Sequence, residues 1–291
     1  MSDRRPSFDL QSHSRYSDGE LAPADVVATA AEAGVTLLAL TDHDTVEGVR
    51  EAAAAAADAG IHLATGVEIS ALDRLGSDLH ILGYLVDDRD PVLLERLGRF
   101  RADRERRTEA IVAALRELGF EIDEEPLAQR AADGKPIGRP HLAQAVTSHP
   151  ANAERLADEG LTEPSPFLVA YLIEGRPAFR TRLIPTVPEA IDAIHDAGGV
   201  AVWAHPFWDV PAPDDVLAAI DRFRAEGIDG VECFYLTHTA EQTELLAKRC
   251  EELNLLSTGS SDFHGPRHKL MSQFRAFSTY GLEPRLGPIA E

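Results

Sequence analysis

The feature that most constrains this chain is a phrase it repeats five times. The stretches "AAEAGVTLLALTDHD" (30–44), "AADAGIHLATGVE" (56–68), "IHDAGGVAVWAHP" (194–206), "FRAEGIDGVECFY" (223–235) and "CEELNLLSTGSSDFHG" (250–265) each close an Ala- or Glu-rich helix on Gly or Asn. The closing residues Gly34, Gly60, Gly198, Gly227 and Asn254 are types that tolerate the left-handed conformation in which helices end. Each phrase then runs through a short apolar segment of strand character. Two further runs, "FDLQSHS" at 8–14 and "DLHILGYLV" at 78–86, bring the expected strands to seven.

Apolar runs that alternate with helices imply parallel strands covered on both faces. In barrels of this kind, chemistry gathers at the carboxyl ends of the strands. Four of the five phrases place His, Asp or Glu just after the strand, and the exception offers only Glu232 within its run. The expectation is a (β/α) barrel with one convergent site. An open doubly wound sheet is the alternative, but no Gly-x-Gly-x-x-Gly follows the first strand. His80 falls inside its run rather than after it, so its strand must bend or run in another direction.

The phrase stops between residues 91 and 180. There "DPVLLERLGRFRADRERRTEAIVAALRELGF" reads as one or two long helices beginning near Pro91, and shorter helices with Pro- and Gly-marked turns follow. The expected organisation is a barrel from 1–90 and 181–291, with a mainly helical insertion at 91–180 lying over the barrel mouth as a lid.

Composition narrows the function classes. The formal charge is −21, from 28 Lys and Arg against 49 Asp and Glu, which disfavours duplex DNA and other long polyanions. A small phosphorylated substrate remains compatible, because bound cations and a few arginines reverse the sign locally. No apolar run approaches the ~20 residues of a membrane span, and no secretory leader pattern is present. Only Cys233 and Cys250 occur, without Cys-x-x-Cys spacing, so no disulfide framework is expected and a reducing cytoplasm fits.

The polar strand ends can then be collected. They are Gln11, His13 and Asp18 after the first strand, Asp42-His43-Asp44 after the second, and Glu68 after the third. His80, His205, Asp262 and His264 complete the set. Taken singly, "SHSRYSDG" is ordinary turn chemistry and a lone His is an ordinary core or surface residue. Together these side chains would be costly to crowd into a barrel mouth without cations. Imidazole with carboxylate suits Zn, Mn or Fe, and the lack of thiolates excludes a Cys-rich structural zinc site.

The segments "SHSRYSDGELAP", "ALTDHDTVEGV", "GVEIS", "LHILGY", "AHP" and "GSSDFHG" resemble the polymerase-and-histidinol-phosphatase (PHP) superfamily. The nearest branch is that of 3′,5′-nucleoside-bisphosphate phosphatases and short-RNA 5′→3′ exonucleases. The resemblance covers roughly 1–90 and 195–265. It implies a distorted (β/α)7 barrel and two to three divalent ions (Mn, Fe or Zn). The first ion would take position 11, His13, Glu68 and Asp262, and the second Asp18, His43 and His264. The third would share Glu68 and add His80 and His205. Catalysis would fall to Asp18, His43, Glu68, Asp262 and His264. Where the family motif reads His-x-His, this chain has Gln11-Ser12-His13. A Gln offers only a neutral carbonyl oxygen, so Gln11 is expected to be a weaker ligand that favours an ion such as Mn.

The implied reaction is hydrolysis of a nucleotide phosphomonoester by metal-activated water, on a 3′,5′-bisphosphate or AMP-like substrate. Arg104, Arg107, Arg139 and His141 of the insertion are candidate phosphate contacts. Two alternatives stand beside it: 5′→3′ cleavage of short single-stranded oligonucleotides, and a metal-binding module whose catalysis lapsed with Gln11. A barrel amidohydrolase would need a metal-bridging Lys after a middle strand, and Glu68 stands there instead.

Overall fold

The computed structural model describes residues 6–74, 78–132, 137–181 and 185–291. The chain divides into two compact units, Met1–Gly98 with Pro185–Glu291, and Arg99–Ile184.

In the first unit seven strands form one sheet in sequence order: β1 (Phe8–Asp9), β2 (Leu37–Leu40), β3 (His62–Leu72), β4 (Asp78–Tyr84), β5 (Val200–Trp203), β6 (Gly230–Tyr235) and β7 (Leu256–Ser260). The two edges meet. Leu10 N–H donates to the Gly259 carbonyl at 3.2 Å, and His13 N–H to the Phe263 carbonyl at 2.8 Å. The result is the expected distorted (β/α)7 barrel.

The distortion lies in the middle of the sheet. The first four residues of β3, His62–Thr65, pair in parallel with β2, whereas Gly66–Leu72 pair antiparallel with β4. The change of partner falls at Gly66, where a Cβ would stand 2.8 Å from Thr41 Cγ2 and 2.9 Å from the Leu40 carbonyl oxygen. Among the described residues no helix separates β3 from β4, and β4 is also antiparallel to β5. Parallel pairing therefore gives way at β4, the strand that the in-run position of His80 required to bend or to run in another direction. Reversal explains His80: the start of β4 lies at the end of the barrel where its neighbours finish.

Helices α1 (Pro23–Glu32) and α2 (Val49–Ala59) cover the first strands. Val26, Val27 and Ala30 of α1 and Ala52 and Ala56 of α2 pack with Leu38 and Leu40. Helix α3 (Pro91–Glu117) leads into the second unit, which adds α4 (Glu124–Ala132), α5 (Arg139–Thr147), α6 (Ala153–Glu159) and α7 (Pro164–Tyr171). That unit has its own core, in which Phe120, Leu142, Val146, Leu156 and Phe167 are buried together. Its Phe120, Phe167 and Tyr171 rings pack with centroids 4.9–5.1 Å apart.

The chain returns through α8 (Val187–Asp196), which starts on a reciprocal cap: Thr186 Oγ1 accepts from Glu189 N–H, and Glu189 Oε2 accepts from Thr186 N–H. Short α9 (Pro206–Asp209), α10 (Pro213–Ala225) and α11 (Ala240–Leu253) complete the barrel. The helix-closing residues Gly34, Gly60, Gly198, Gly227 and Asn254 all have positive φ, as their sequence phrase requires. No helix among the described residues is long and apolar enough to cross a membrane.

Candidate metal centre

The carboxyl ends of the strands bring the expected polar residues into one place. His13 lies just beyond β1, with its ring buried, and Asp18 sits in the loop that follows. That loop folds back tightly: Ser17 N–H and Gly19 N–H both donate to the Ser14 carbonyl at 3.0 Å. A Cβ on Gly19 would lie 2.2 Å from the His13 carbonyl oxygen, so only glycine permits the turn. His43 follows β2 and bridges to Glu68 on β3, and His80 enters from the reversed β4. His205 follows β5, and Asp262 and His264 follow β7. Asp44, His205 and Asp262 have φ values of 52°, 30° and 52°, a costly conformation for side chains of this kind.

Glu68 is the centre of the arrangement and is wholly buried. Its Oε2 lies 3.0 Å from His13 Nε2 and 3.7 Å from His43 Nδ1. Its Oε1 lies 2.7 Å from His80 Nδ1 and 3.4 Å from His205 Nε2. On one side, His13 Nε2 is also 3.0 Å from Asp262 Oδ1. On the other, Asp18 Oδ1 and Oδ2 lie 3.4 and 3.5 Å from His264 Nε2 and His43 Nε2.

Three sets of atoms are close enough to share an ion: His13, Asp18, His43 and His264; His43, Glu68 and His80; and His13, Glu68 and Asp262. The middle set contains His43 where the family pattern would put His205. His205 Nε2 instead lies 3.3 Å from His80 Nδ1, with Glu68 Oε1 beside both.

Some of these atoms converge without bonding one another. His13 Nε2, His43 Nδ1 and Asp262 Oδ1 are buried and lack a hydrogen-bond partner, although each has an oppositely charged atom within 4 Å. Lone pairs directed at a shared point rather than at a neighbour's proton are what an ion requires. The donor set thus fits divalent metal.

The surrounding imidazoles favour the ionised form of the carboxylates. Burial works against every charge here, yet the His43 and His80 imidazoles hold Glu68 well below the usual carboxylate range. Against the same burial, His264 and His13 hold Asp262 down to about 2, and His43 and His264 hold Asp18 well below its ordinary value. Burial lowers His43 to about 4. The carboxylates are therefore ionised, the form that ligates metal, whereas against burial Asp262 and Glu68 raise His13 well above its ordinary value, so an ion taking that nitrogen would displace a proton.

Gln11 shows a different arrangement from the one its position suggests. Its Nε2 donates to Glu68 Oε2 at 2.9 Å, and its Oε1 lies 3.3 Å from Ser260 Oγ. Ser260 Oγ is also 2.6 Å from Glu232 Oε1. One hydroxyl has one hydrogen, so both contacts hold together when Glu232 is protonated and donates. Burial raises Glu232 to about 8, which supplies that proton at neutral pH. Ionised Glu68 can only accept, so the amide must offer it nitrogen. An oxygen ligand from Gln11 would require the amide to turn over.

Several contributors were not assigned from the sequence. Asp42 accepts from Ser14 N–H at 2.7 Å, Ser14 Oγ at 2.6 Å and Ser17 Oγ at 2.6 Å, clamping the loop that carries His13 and Asp18. Tyr235 donates its hydroxyl to Asp262 Oδ2 at 2.9 Å, leaving Oδ1 for the centre. A one-residue irregularity between Glu232 and Phe234 shifts the alternation of β6, so Glu232 and Tyr235 both address the site. An in-run carboxylate was the only hint of this in the sequence.

The expected phosphate contacts lie in the second unit. There Arg107 Nε donates to the Arg180 carbonyl at 2.7 Å, and Gly138 N–H donates to His141 Nδ1 at 3.0 Å. Arg139 begins α5 and Arg104 lies within α3.

The profile of the PHP domain family matches residues 9–122. A 5′-3′ exoribonuclease of Haemophilus influenzae is 36% identical over 259 residues, 89% of this chain and 90% of the relative. A 3′,5′-nucleoside bisphosphate phosphatase of Chromobacterium violaceum is 32% identical, covering 89% of this chain and 88% of the relative. A solved Chromobacterium violaceum structure, described as an amidohydrolase with bound sulfate and no metal, superposes with a TM-score of 0.76 at 29% identity. That likeness covers 92% of this chain and 94% of the other.

Proposed function

Because the chain belongs to the PHP domain family, we propose that it is a metal-dependent phosphoesterase that hydrolyses a phosphomonoester of a small nucleotide. The observation that carries this reading is Glu68, a buried carboxylate whose two oxygens serve separate groups of imidazoles. A bridging carboxylate among five His side chains suits ions held a few ångströms apart. His13, Glu68 and Asp262 would hold one ion, and Asp18, His43 and His264 a second. Glu68, His80 and His205 would serve a third.

Bound divalent ions of the Mn, Fe or Zn type supply a water of lowered pKa and neutralise charge on the phosphoryl oxygens. The chain's own residues do the rest. Tyr235 and Gln11 fix the carboxylates of Asp262 and Glu68 through hydrogen bonds. Asp42 keeps the His13–Asp18 loop in register. Neither a Ser nor a Cys is needed as a nucleophile, and the two thiols, Cys233 and Cys250, are buried 3.6 Å from each other.

The substrate class proposed is a nucleotide with two separated phosphates, such as a 3′,5′-bisphosphate. Similarity to the bisphosphate phosphatase supports this. Similarity to the exoribonuclease supports a second reading, removal of 5′ nucleotides from short single-stranded RNA. Arg104 and Arg107 are proposed phosphate contacts as guanidinium donors of the insertion, and Arg139 and His141 on the likeness of their Gly-Arg-Pro turn to the phosphatase branch. The amidohydrolase reading has less support, because the residue placed to bridge ions is Glu68 rather than Lys.

A panel of nucleotides and short oligonucleotides, assayed with Mn-reconstituted protein, tests the proposal. The expected order is 3′,5′-bisphosphate first, then 5′-phosphorylated short RNA, with duplex DNA inert. Metal binding without phosphate release from any of them would identify a non-catalytic module.

A further inference from the structure

Trp208 has no role in the site described above, yet the fold spends an indole next to it. It lies three residues after His205, on the short α9 that continues β5 beyond the metal centre. The Trp208 N–H of the backbone donates to the His205 carbonyl at 2.8 Å, so the position of the residue is tied to that of His205. The side chain is not buried: Trp208 is 53% exposed, whereas the other tryptophan, Trp203, is fully buried in the barrel. A Trp placed for packing alone would cover its large apolar surface.

The ring has one aromatic neighbour that leads inward. Its centroid lies 6.4 Å from Tyr235 in a perpendicular arrangement. Tyr235 stands 5.3 Å from the His205 ring and donates its hydroxyl to Asp262. The exposed indole is therefore one ring removed from groups that face the metals. Among the described residues the other exposed aromatic is Tyr280, whose hydroxyl donates to the His238 carbonyl at 3.0 Å. Trp208 is thus the exposed aromatic that stands beside the centre.

We propose that Trp208 is the nucleobase platform of the enzyme, stacking the base of a nucleotide whose phosphate lies at the metal centre. This rests on the phosphoesterase reading and narrows it: substrates with a flat aromatic base are selected over sugar phosphates that lack one. Stacking on an indole is tolerant of base identity, because every base presents a π-face. The subsite selects for a base without choosing among bases.

Two measurements on the metal-loaded protein test the proposal. The first is indole fluorescence on rapid mixing with AMP or with ribose 5-phosphate, which share a phosphorylated ribose and differ in the base. AMP should quench the exposed indole and ribose 5-phosphate should not. Trp208→Phe should abolish the quench, because the remaining Trp203 is buried. The second is the ratio of kcat/KM for AMP over ribose 5-phosphate. Trp208→Ala should lower that ratio roughly 5- to 150-fold, the equivalent of ~1–3 kcal/mol for one base stacked on an aromatic side chain. Trp208→Phe should recover most of it.

Absence of a base-dependent quench, or an unchanged ratio in Trp208→Ala, overturns the proposal. The quench requires binding and no turnover. If the protein hydrolyses neither compound, the nucleotide and oligonucleotide panel decides the phosphoesterase reading separately, and the fluorescence result alone decides whether Trp208 binds a base.

Discussion

Asp42 provides the sharpest test of how the metal centre is held together. It is 2% exposed, and Ser14 and Ser17, which donate to it, are fully buried. Asp42→Ala strands three buried donors: the Ser14 backbone N–H and the hydroxyls of Ser14 and Ser17. An unsatisfied buried donor costs about 1–3 kcal/mol. The two hydroxyls can rotate, and Ser17 Oγ already lies 3.4 Å from His13 Nδ1, so they recover part of the loss. The backbone N–H cannot. Burial also raises the Asp42 carboxyl above its ordinary pKa, so removing it returns some desolvation energy. The net expectation is a loss of about 3 kcal/mol, with Tm lower by about 6–12 °C for a domain of this size. Asp42→Asn keeps the shape and one acceptor and should cost about 1 kcal/mol. Thermal unfolding followed alongside metal content reads both effects, since the loosened loop carries His13 and Asp18. An Asp42→Ala protein within about 0.5 kcal/mol of wild type, the range of an inert surface change, and still fully metallated, would refute the clamp.

Other perturbations follow from the same geometry. Glu68→Gln should lower bound metal more than Asp18→Asn or His80→Gln, because Glu68 belongs to two of the three ligand sets; equal losses in elemental analysis would contradict its bridging position. Gln11→His should raise the metal retained after dialysis and preserve turnover, since imidazole is the better ligand for these ions. Unchanged metal with lost activity would instead make the Gln11–Glu68 hydrogen bond the essential feature. Burial lowers His238 to about 4 from 6.5, so the folded state refuses a proton that the unfolded chain accepts. The stability that depends on neutral His238 is complete above pH 6.5 and is lost as pH falls toward 4. Urea unfolding at pH 7 and 4.5 should show His238→Gln losing ~2–3 kcal/mol less than wild type between the two. An identical loss in both proteins would contradict it.

The repeated helix–strand phrase made five of the seven strands legible, because a Gly or Asn stop followed by an apolar run is a local signal, and β1 and β4 were legible as apolar runs alone. The direction of β4 was not legible. A strand covered on both faces has the same apolar pattern read either way, and the displaced position of His80 was its only trace. The metal-site candidates stood out because His and Asp at successive strand ends share one end of a barrel by topology alone. Finer roles depend on side-chain direction over one residue. Asp42 and His43 are neighbours, yet one clamps a loop and the other faces Asp18 and Glu68. Likewise, ionised Glu68 and the Ser260 hydroxyl together set which end of the Gln11 amide meets Glu68, and both lie far from Gln11 in sequence.

The central claim is that shared ions, gathered around Glu68, hydrolyse a phosphomonoester. The most direct test is a titration of metal-free protein with Mn, in which bound metal and phosphate release from a 3′,5′-nucleoside bisphosphate are measured on the same samples. Phosphate release should remain low through the first equivalent and rise as the second is bound, and Glu68→Gln should remove that rise. Full activity with a single ion per chain, or two bound ions with no phosphate released, would contradict the account.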